Sequence, residues 1–358
     1  MKKLIFVPIE LMEERYSQQW FYWFQEYFTK NKYNVTYILP KSGIETTIRQ
    51  GQFLDVINTN KFKAEQLQMI CELFNVNQID SETTFLFMDA WFPGLEMLAY
   101  IRNALNIPFK IVGMLHAGTW DPYDFLTQKG MRTWAQPLEY SWFKILDTIC
   151  VATQFHKNLI KDTLYDSRRH TTFETDRVAK KIKITGFPIY PDFVKPMTKE
   201  NLIIFPHRLA PEKNPHLFKR LMEKYNFEKE FEEPYKLLFT KDFCNSKKEY
   251  YALLNKAKIA VSFANQETFG IAMLEAALCG CYPIVPNRLS YIDLYPHEFK
   301  VRQVQKLTEE LEVDLVFEKI KSIVENENWY SKQLKLLQVH VEKLGMEAIP
   351  NILGCCYE

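Results

Sequence analysis

The sequence of 358 residues carries 45 Lys and Arg against 44 Asp and Glu, a net charge of +1, and 47% of its residues are apolar. That balance excludes a globally basic nucleic-acid binder and an intrinsically disordered chain. The length suffices for two domains of ordinary size, and no apolar run approaches the roughly 20 residues of a membrane span.

The seven cysteines show no zinc-ribbon spacing, which predicts reduced thiols in a cytoplasmic protein with no metal site. The opening MKKLIFVPIE does not read as a signal peptide, because Pro8 and Glu10 end its apolar run too early. The aromatic share of 15% is high and reads as core filling.

Residues 4–8 form an apolar run suited to a first buried strand of a parallel sheet. The loop that follows, IELMEERYSQQW, holds no glycine, so no diphosphate cradle is expected there; Glu10 either faces a cleft or belongs to a solvated loop. An aromatic-rich helix is predicted at 18–30, a strand at 33–39 and a helix at 61–74. The strand at 84–88 runs into DAWFPG, where Asp89 either touches an acceptor or caps the helix of EMLAYIRNAL. The strand at 109–115 ends in HAGTWDPYDF. His116 at its tip is expected to point into a cleft. Trp120 and Asp121 are candidates for an acceptor side, although Asp121 before Pro122 equally initiates a turn.

A strand at 148–152 and a helix at 154–164 come next. Residues 157–183 hold eight Lys or Arg against four Asp or Glu. With Arg168 and Arg169 at its centre, this segment is either a contact for a polyanion or a solvated loop. A strand at 181–185 leads through GFPI to a boundary near 195, giving domains 1–195 and 196–358.

The second domain opens on a strand at 202–205 followed by PHRLAPEKNPHLF. Arg208 and Lys213 stand five apart, between that buried strand and a helix opening at Pro215. Strands at 236–240 and 259–263 flank a helix at 250–256. Glu267 follows the last of these strands, and Thr268, Phe269, Gly270 and Ile271 lead into a helix at 269–278 that carries Glu275. Unpaired N–H groups at such a helix start favour an anion. The eight-residue offset keeps both acids near one helix face, where a carboxylate accepts from the paired hydroxyls of ribose or a sugar. Alone, two Glu at this spacing read as an ordinary amphipathic helix. A short strand (YPIV), a loop with Asn287 and Arg288, and helices at 313–325 and 329–343 complete an α/β chain.

The stretch ETFGIAMLEAALCGCYPIV resembles the E-x7-E signature of retaining GT-B glycosyltransferases of the family-4 type. That resemblance implies two Rossmann-like domains facing across a cleft, an acceptor-binding one and a nucleotide-sugar-binding one, with the last helix crossing back. It also implies transfer from a UDP- or GDP-sugar without a metal. Arg208 and Lys213 would grip the diphosphate, and Glu275 the ribose. Glu267 and the backbone of Thr268 to Ile271 would position the donor sugar and phosphate, and His116 would contact the sugar.

AMLEAALCGCYPIVPNRLSYIDLYP is similar to the tRNA-queuosine mannosyltransferases, which implies a nucleic-acid base as acceptor. PIELMEERYSQQWFYWF resembles bacteriophage glycosyltransferases that decorate hydroxymethylated DNA bases. The expectation is therefore a hydroxymethylated pyrimidine in phage DNA, modified in the host cytoplasm, ahead of queuosine in tRNA. A polysaccharide or lipid acceptor is the alternative, and a nucleotide-sugar epimerase a more distant one.

Overall fold

The computed structural model describes residues 3–13, 15–40, 55–166, 172–228 and 234–357. The chain divides into two units, Met1–Pro188 with Glu347–Glu358, and Ile189–Met346. The division falls before the boundary expected near 195, and the last residues group with the first unit.

The first unit is built on six parallel strands: β1 (Lys3–Val7), β2 (Val35–Tyr37), β3 (Thr83–Phe87), β4 (Lys110–Met114), β5 (Thr148–Val151) and β6 (Ile182–Ile184). Helices α1 (Tyr16–Lys30), α2 (Val56–Asn75), α3 (Leu95–Ala104), α4 (Phe125–Gln128), α5 (Arg132–Ile145), α6 (Gln154–Asp166) and α7 (Thr172–Lys181) alternate with them. The strands read as apolar runs because helices cover both faces. Phe85, Leu86 and Phe87 of β3 are all fully buried, and each such side chain contributes roughly 2–3 kcal/mol.

Strand order is β2-β1-β3-β4-β5-β6. The chain leaves β1 in one direction for β2 and then crosses to β3 on its other side. This reversal opens a crevice beyond the carboxyl ends of β1 and β3.

The second unit repeats the plan with four parallel strands, β7 (Glu200–Phe205), β8 (Lys236–Phe239), β9 (Ala257–Val261) and β10 (Tyr282–Ile284), in the order β10-β9-β7-β8. Its helices are α8 (Pro215–Glu228), α9 (Thr240–Phe243), α10 (Lys247–Lys256), α11 (Ile271–Leu278), α12 (Tyr291–Leu294), α13 (Glu309–Glu325) and α14 (Glu327–Tyr357). Here the reversal lies between β7 and β9, so the loops after those two strands share one crevice.

Two long-range details go beyond the pattern of the sequence. Lys181 turns its ammonium onto the carbonyl oxygens of Phe143 (3.4 Å), Lys144 (2.9 Å) and Leu146 (2.7 Å), capping the carboxyl end of α5. It is thereby removed from the basic segment that the sequence offered to a polyanion. The final helix runs on to Tyr357, past Gly345 and through Pro350, well beyond its expected end at 343. All seven cysteines are free thiols, six of them buried and Cys71 half-buried.

Gly345 explains part of that helix. A Cβ placed there would overlap the carbonyl oxygen of Ile189, so the helix backbone lies directly on the chain. Gly345→Ala is expected to lower the stability of the second unit by about 1–3 kcal/mol, the usual cost of overpacking. A shift in the urea unfolding midpoint measures it.

Candidate active site

In the second unit the strands β7, β9 and β10 end side by side, and their outgoing loops interlock. Asn214 Nδ2 donates to the carbonyl of Phe263 at 2.8 Å, and Asn265 N donates to that of Glu212 at 2.8 Å. From the loop after β10, Arg288 donates to the carbonyls of Ala264 (2.9 Å) and Phe263 (3.0 Å) and pairs with Glu312 at 2.9 Å. Asn287 and Arg288 lie in the stretch whose resemblance implies a nucleic-acid base as acceptor. The structure uses the Arg288 guanidinium to brace the β9 loop.

At the centre of this interlock Lys213, only 6% exposed, places its ammonium 2.8 Å from Glu267 Oε1. It also donates to the carbonyl of Gln266 and to Gln266 Oε1. Burial pushes the Glu267 carboxyl up, and its basic neighbours, Lys213 foremost, together bring it below the usual carboxylate range. His207 Nδ1 lies 3.7 Å from the same oxygen. Burial drives the His207 imidazole down to about 3, so it is neutral near pH 7 and this approach is no ion pair. Arg208 is exposed and pairs with Glu212.

Gly270 ends the loop and caps α11 with φ +78°, a conformation that favours glycine, and a Cβ there would lie 2.9 Å from the ring of Tyr291. The helix begins at Ile271, two residues later than expected, and its first N–H groups have no intrahelical acceptor. Phe269 is 3% exposed and Thr268 9%. Glu275 belongs to a second cluster: its Oε1 accepts from Tyr251 Oη at 2.6 Å and Lys247 Nζ at 3.1 Å. Tyr251 is stacked on Phe193 with ring centroids 4.3 Å apart. The structure therefore brings Lys213, Glu267 and His207 into contact at one end of α11, and gives Glu275 different partners within it. Lys247, Tyr251 and His207 were not legible in the sequence, since their partners are distant in the chain.

In the first unit the polar residues again gather at strand ends. His116 stacks on Tyr16 and Phe187, at 5.7 and 5.1 Å. Its Nε2–H donates to the carbonyl of Met88 at 2.5 Å, and Nδ1 accepts from Tyr16 Oη at 3.1 Å. Burial lowers its pKa. Asp89 accepts from Trp91 N at 3.0 Å and pairs with Lys63 at 3.2 Å, whereas the cap of α3 is Gly94. Asp121 accepts from Tyr123 N at 2.9 Å, as a turn initiator does. Trp120 is 5% exposed, packs on Phe143 and belongs to the core. Glu10 is buried, not part of a solvated loop, and accepts from Thr59 Oγ1 at 3.0 Å. Arg168 and Arg169 lie outside the described residues. Among the described residues no three His, Cys, Asp or Glu side chains gather to hold a metal ion, and no helix is long and apolar enough to cross a membrane.

Glu139 of α5 gave no signal in the sequence. It accepts from Thr119 N (3.1 Å), the Thr119 hydroxyl and Trp91 Nε1 (3.0 Å), tying together the loops after β3 and β4.

No protein-family model matches the sequence. An alignment of 156 residues is 38% identical to the tRNA-queuosine alpha-mannosyltransferase of Drosophila melanogaster, covering 36% of this chain and 41% of that protein. The chain thus spans well under half the length of this relative. Among solved structures, sucrose-phosphate synthase from Thermosynechococcus elongatus superposes with a TM-score of 0.61 at 14% identity, over 100% of this chain and 98% of that one. The catalytic domain of starch synthase IV from Arabidopsis thaliana, bound to ADP and acarbose, gives 0.60 at 12% identity over 97% and 99%. Anabaena HepE in complex with UDP and glucose gives 0.57 at 11% identity over 98% and 97%. The chain has the GT-B glycosyltransferase fold.

Burial raises the Glu139 carboxyl to about 7 despite its three donors, which favour the charged form. A folded-state pKa above the unfolded one contributes stability that is complete below the unfolded value and lost as pH rises through the folded one. The wild type is therefore expected to lose on the order of 3 kcal/mol between about pH 4.5 and pH 7 from this group. Glu139→Gln should flatten that slope, as urea unfolding at pH 5 and pH 8 would show.

Proposed function

We propose that this chain is a retaining glycosyltransferase that moves a sugar from a nucleotide-sugar donor to a hydroxyl on a modified nucleic-acid base. The observation that carries the donor half is the Lys213–Glu267 contact beside the amino end of α11, at the point where the second sheet reverses direction. As the bond from the anomeric carbon to phosphate breaks, negative charge grows on the nucleoside diphosphate. Arg208 and Lys213 are the fixed cations that stabilise it, with the first N–H groups of α11, and this requires no metal. Glu267 accepts from hydroxyls of the donor sugar and Glu275 from those of the ribose. With acceptor and leaving group on the same sugar face, the departing phosphate takes the proton of the attacking hydroxyl.

The acceptor half rests on the relative's name, which supports a tRNA base; a DNA base rests on the amino-terminal resemblance alone. A basic surface in the first unit fits either polyanion. Lys157 is pushed down in pKa by burial and then by Lys161 and Lys183, so its ammonium feels two other cations. Like charges held together are costly unless a phosphate backbone answers them.

The test offers UDP- and GDP-sugars to the full chain with queuosine-containing tRNA, hydroxymethylated DNA or no acceptor. A sugar-sized mass gain on a nucleic-acid base is expected. Epimerised free nucleotide sugar would instead identify an isomerase, and no change in donor or acceptor would refute the reading. Within the site, Glu275→Ala is expected to weaken nucleoside diphosphate binding by about 10- to 100-fold, the loss of charge-assisted hydrogen bonds. Calorimetric titration with UDP, GDP and ADP measures it, and unchanged affinity would remove Glu275 from the ribose.

A further inference from the structure

We propose that His207 is a positioning residue that orients Glu267, through a buried hydrogen-bonded chain running from Tyr291 by way of Ser262. The proposal rests on the glycosyl-transfer reading for its effect on turnover, but its geometry stands by itself. Tyr291 Oη lies 3.0 Å from Ser262 Oγ, and Ser262 Oγ lies 2.8 Å from His207 Nε2. His207 Nδ1 faces Glu267 Oε1 at 3.7 Å, longer than a hydrogen bond. Tyr291 is 0% exposed, Ser262 1% and His207 4%.

The direction of the chain follows from the chemistry at its ends. Glu267, paired with Lys213, is an ionised carboxylate and only accepts. A neutral imidazole has one N–H, and placing it on Nδ1 turns it toward that carboxylate. Nε2 must then accept, so the Ser262 hydroxyl donates to it. Ser262 has no second proton and accepts in turn from Tyr291 Oη–H and from Ala264 N at 3.3 Å. Burial keeps the Tyr291 phenol protonated and fit to donate. Every member of the chain has a compatible role, and the alternative ring tautomer would set a bare nitrogen lone pair against the carboxylate.

Placement gives the chain its use. Tyr291 sits under Gly270, the residue that opens α11. His207 precedes Arg208 in the loop that also delivers Lys213, and Ser262 leaves β9 ahead of Glu267. One chain of hydrogen bonds thus fixes the His207 ring, and with it the nitrogen that faces the carboxylate, relative to the helix start. An ordinary core histidine would need only its shape.

Two measurements decide. In the 15N-labelled full chain at about pH 7, two-bond proton–nitrogen correlation is expected to show His207 protonated on Nδ1 alone, with no titration between about pH 5 and 8. Protonation on Nε2, or a midpoint near the ordinary histidine value, would overturn the proposal. The second measurement compares His207→Phe, which keeps ring bulk, with His207→Asn, whose amide can still donate toward Glu267. Nucleoside diphosphate affinity is expected to stay within about threefold in both, while kcat falls at least about 30-fold in the Phe variant and about fivefold in the Asn variant. Equal losses in the two, or none in either, would mean that His207 only fills space. Should the wild type turn over no nucleotide sugar, the glycosyl-transfer reading fails separately. The chain is then judged by the tautomer and by Glu267 carboxyl 13C titration, whose midpoint should rise in the Phe variant and must not stay fixed.

Discussion

The second unit depends on one contact, the buried Lys213 ammonium against the half-buried Glu267 carboxylate. Removing two charges from water costs several kcal/mol per ion, and their attraction seldom returns more than that. Such a pair is therefore better understood as fixing positions than as adding stability. It can form only if the loops after β7 and β9 are held in register, and the Asn214, Asn265 and Arg288 hydrogen bonds supply that hold. The rigid sheet does the rest, because parallel strands ending together deliver their loops to the same edge.

The first unit solves the same problem with different chemistry. Its strand-end loops carry His116, Asp89 and Glu10, and each has an internal partner: an aromatic stack, a lysine, a threonine. Glu139 reaches up from α5 to clamp two of those loops at once. In both units a buried acid gathers donors from chain segments far apart in sequence, so the loops are set by polar contacts that apolar packing alone could not specify.

Most of the secondary structure was readable because its physics is local. Apolar runs such as LIFV and IAVSF announce strands covered on both faces, and Pro215 announces the start of α8. The placement of Arg208, Lys213 and Glu267 after two such strands followed from the same runs. What could not be read depends on partners distant in the chain. Trp120, a candidate for the acceptor side, packs in the core; Lys181, counted with the basic segment, and Arg288 both donate to backbone carbonyls. His207 and Glu139 carry no local mark at all, since their partners lie 55 and 20 residues away. The last helix, expected to end at 343, runs on past Gly345 and Pro350; a glycine ordinarily weakens a helix, and here its missing side chain is what the packing requires.

The distribution of the thiols has a practical corollary. Burial disfavours the thiolate of Cys279 and Cys356 and pushes Cys281 up to about 12, so these sulfurs are poor nucleophiles toward alkylating reagents. Cys71, on α2, is the one thiol left partly open to solvent. The native chain thus offers a single attachment point for a fluorophore or spin label, on α2 of the first unit.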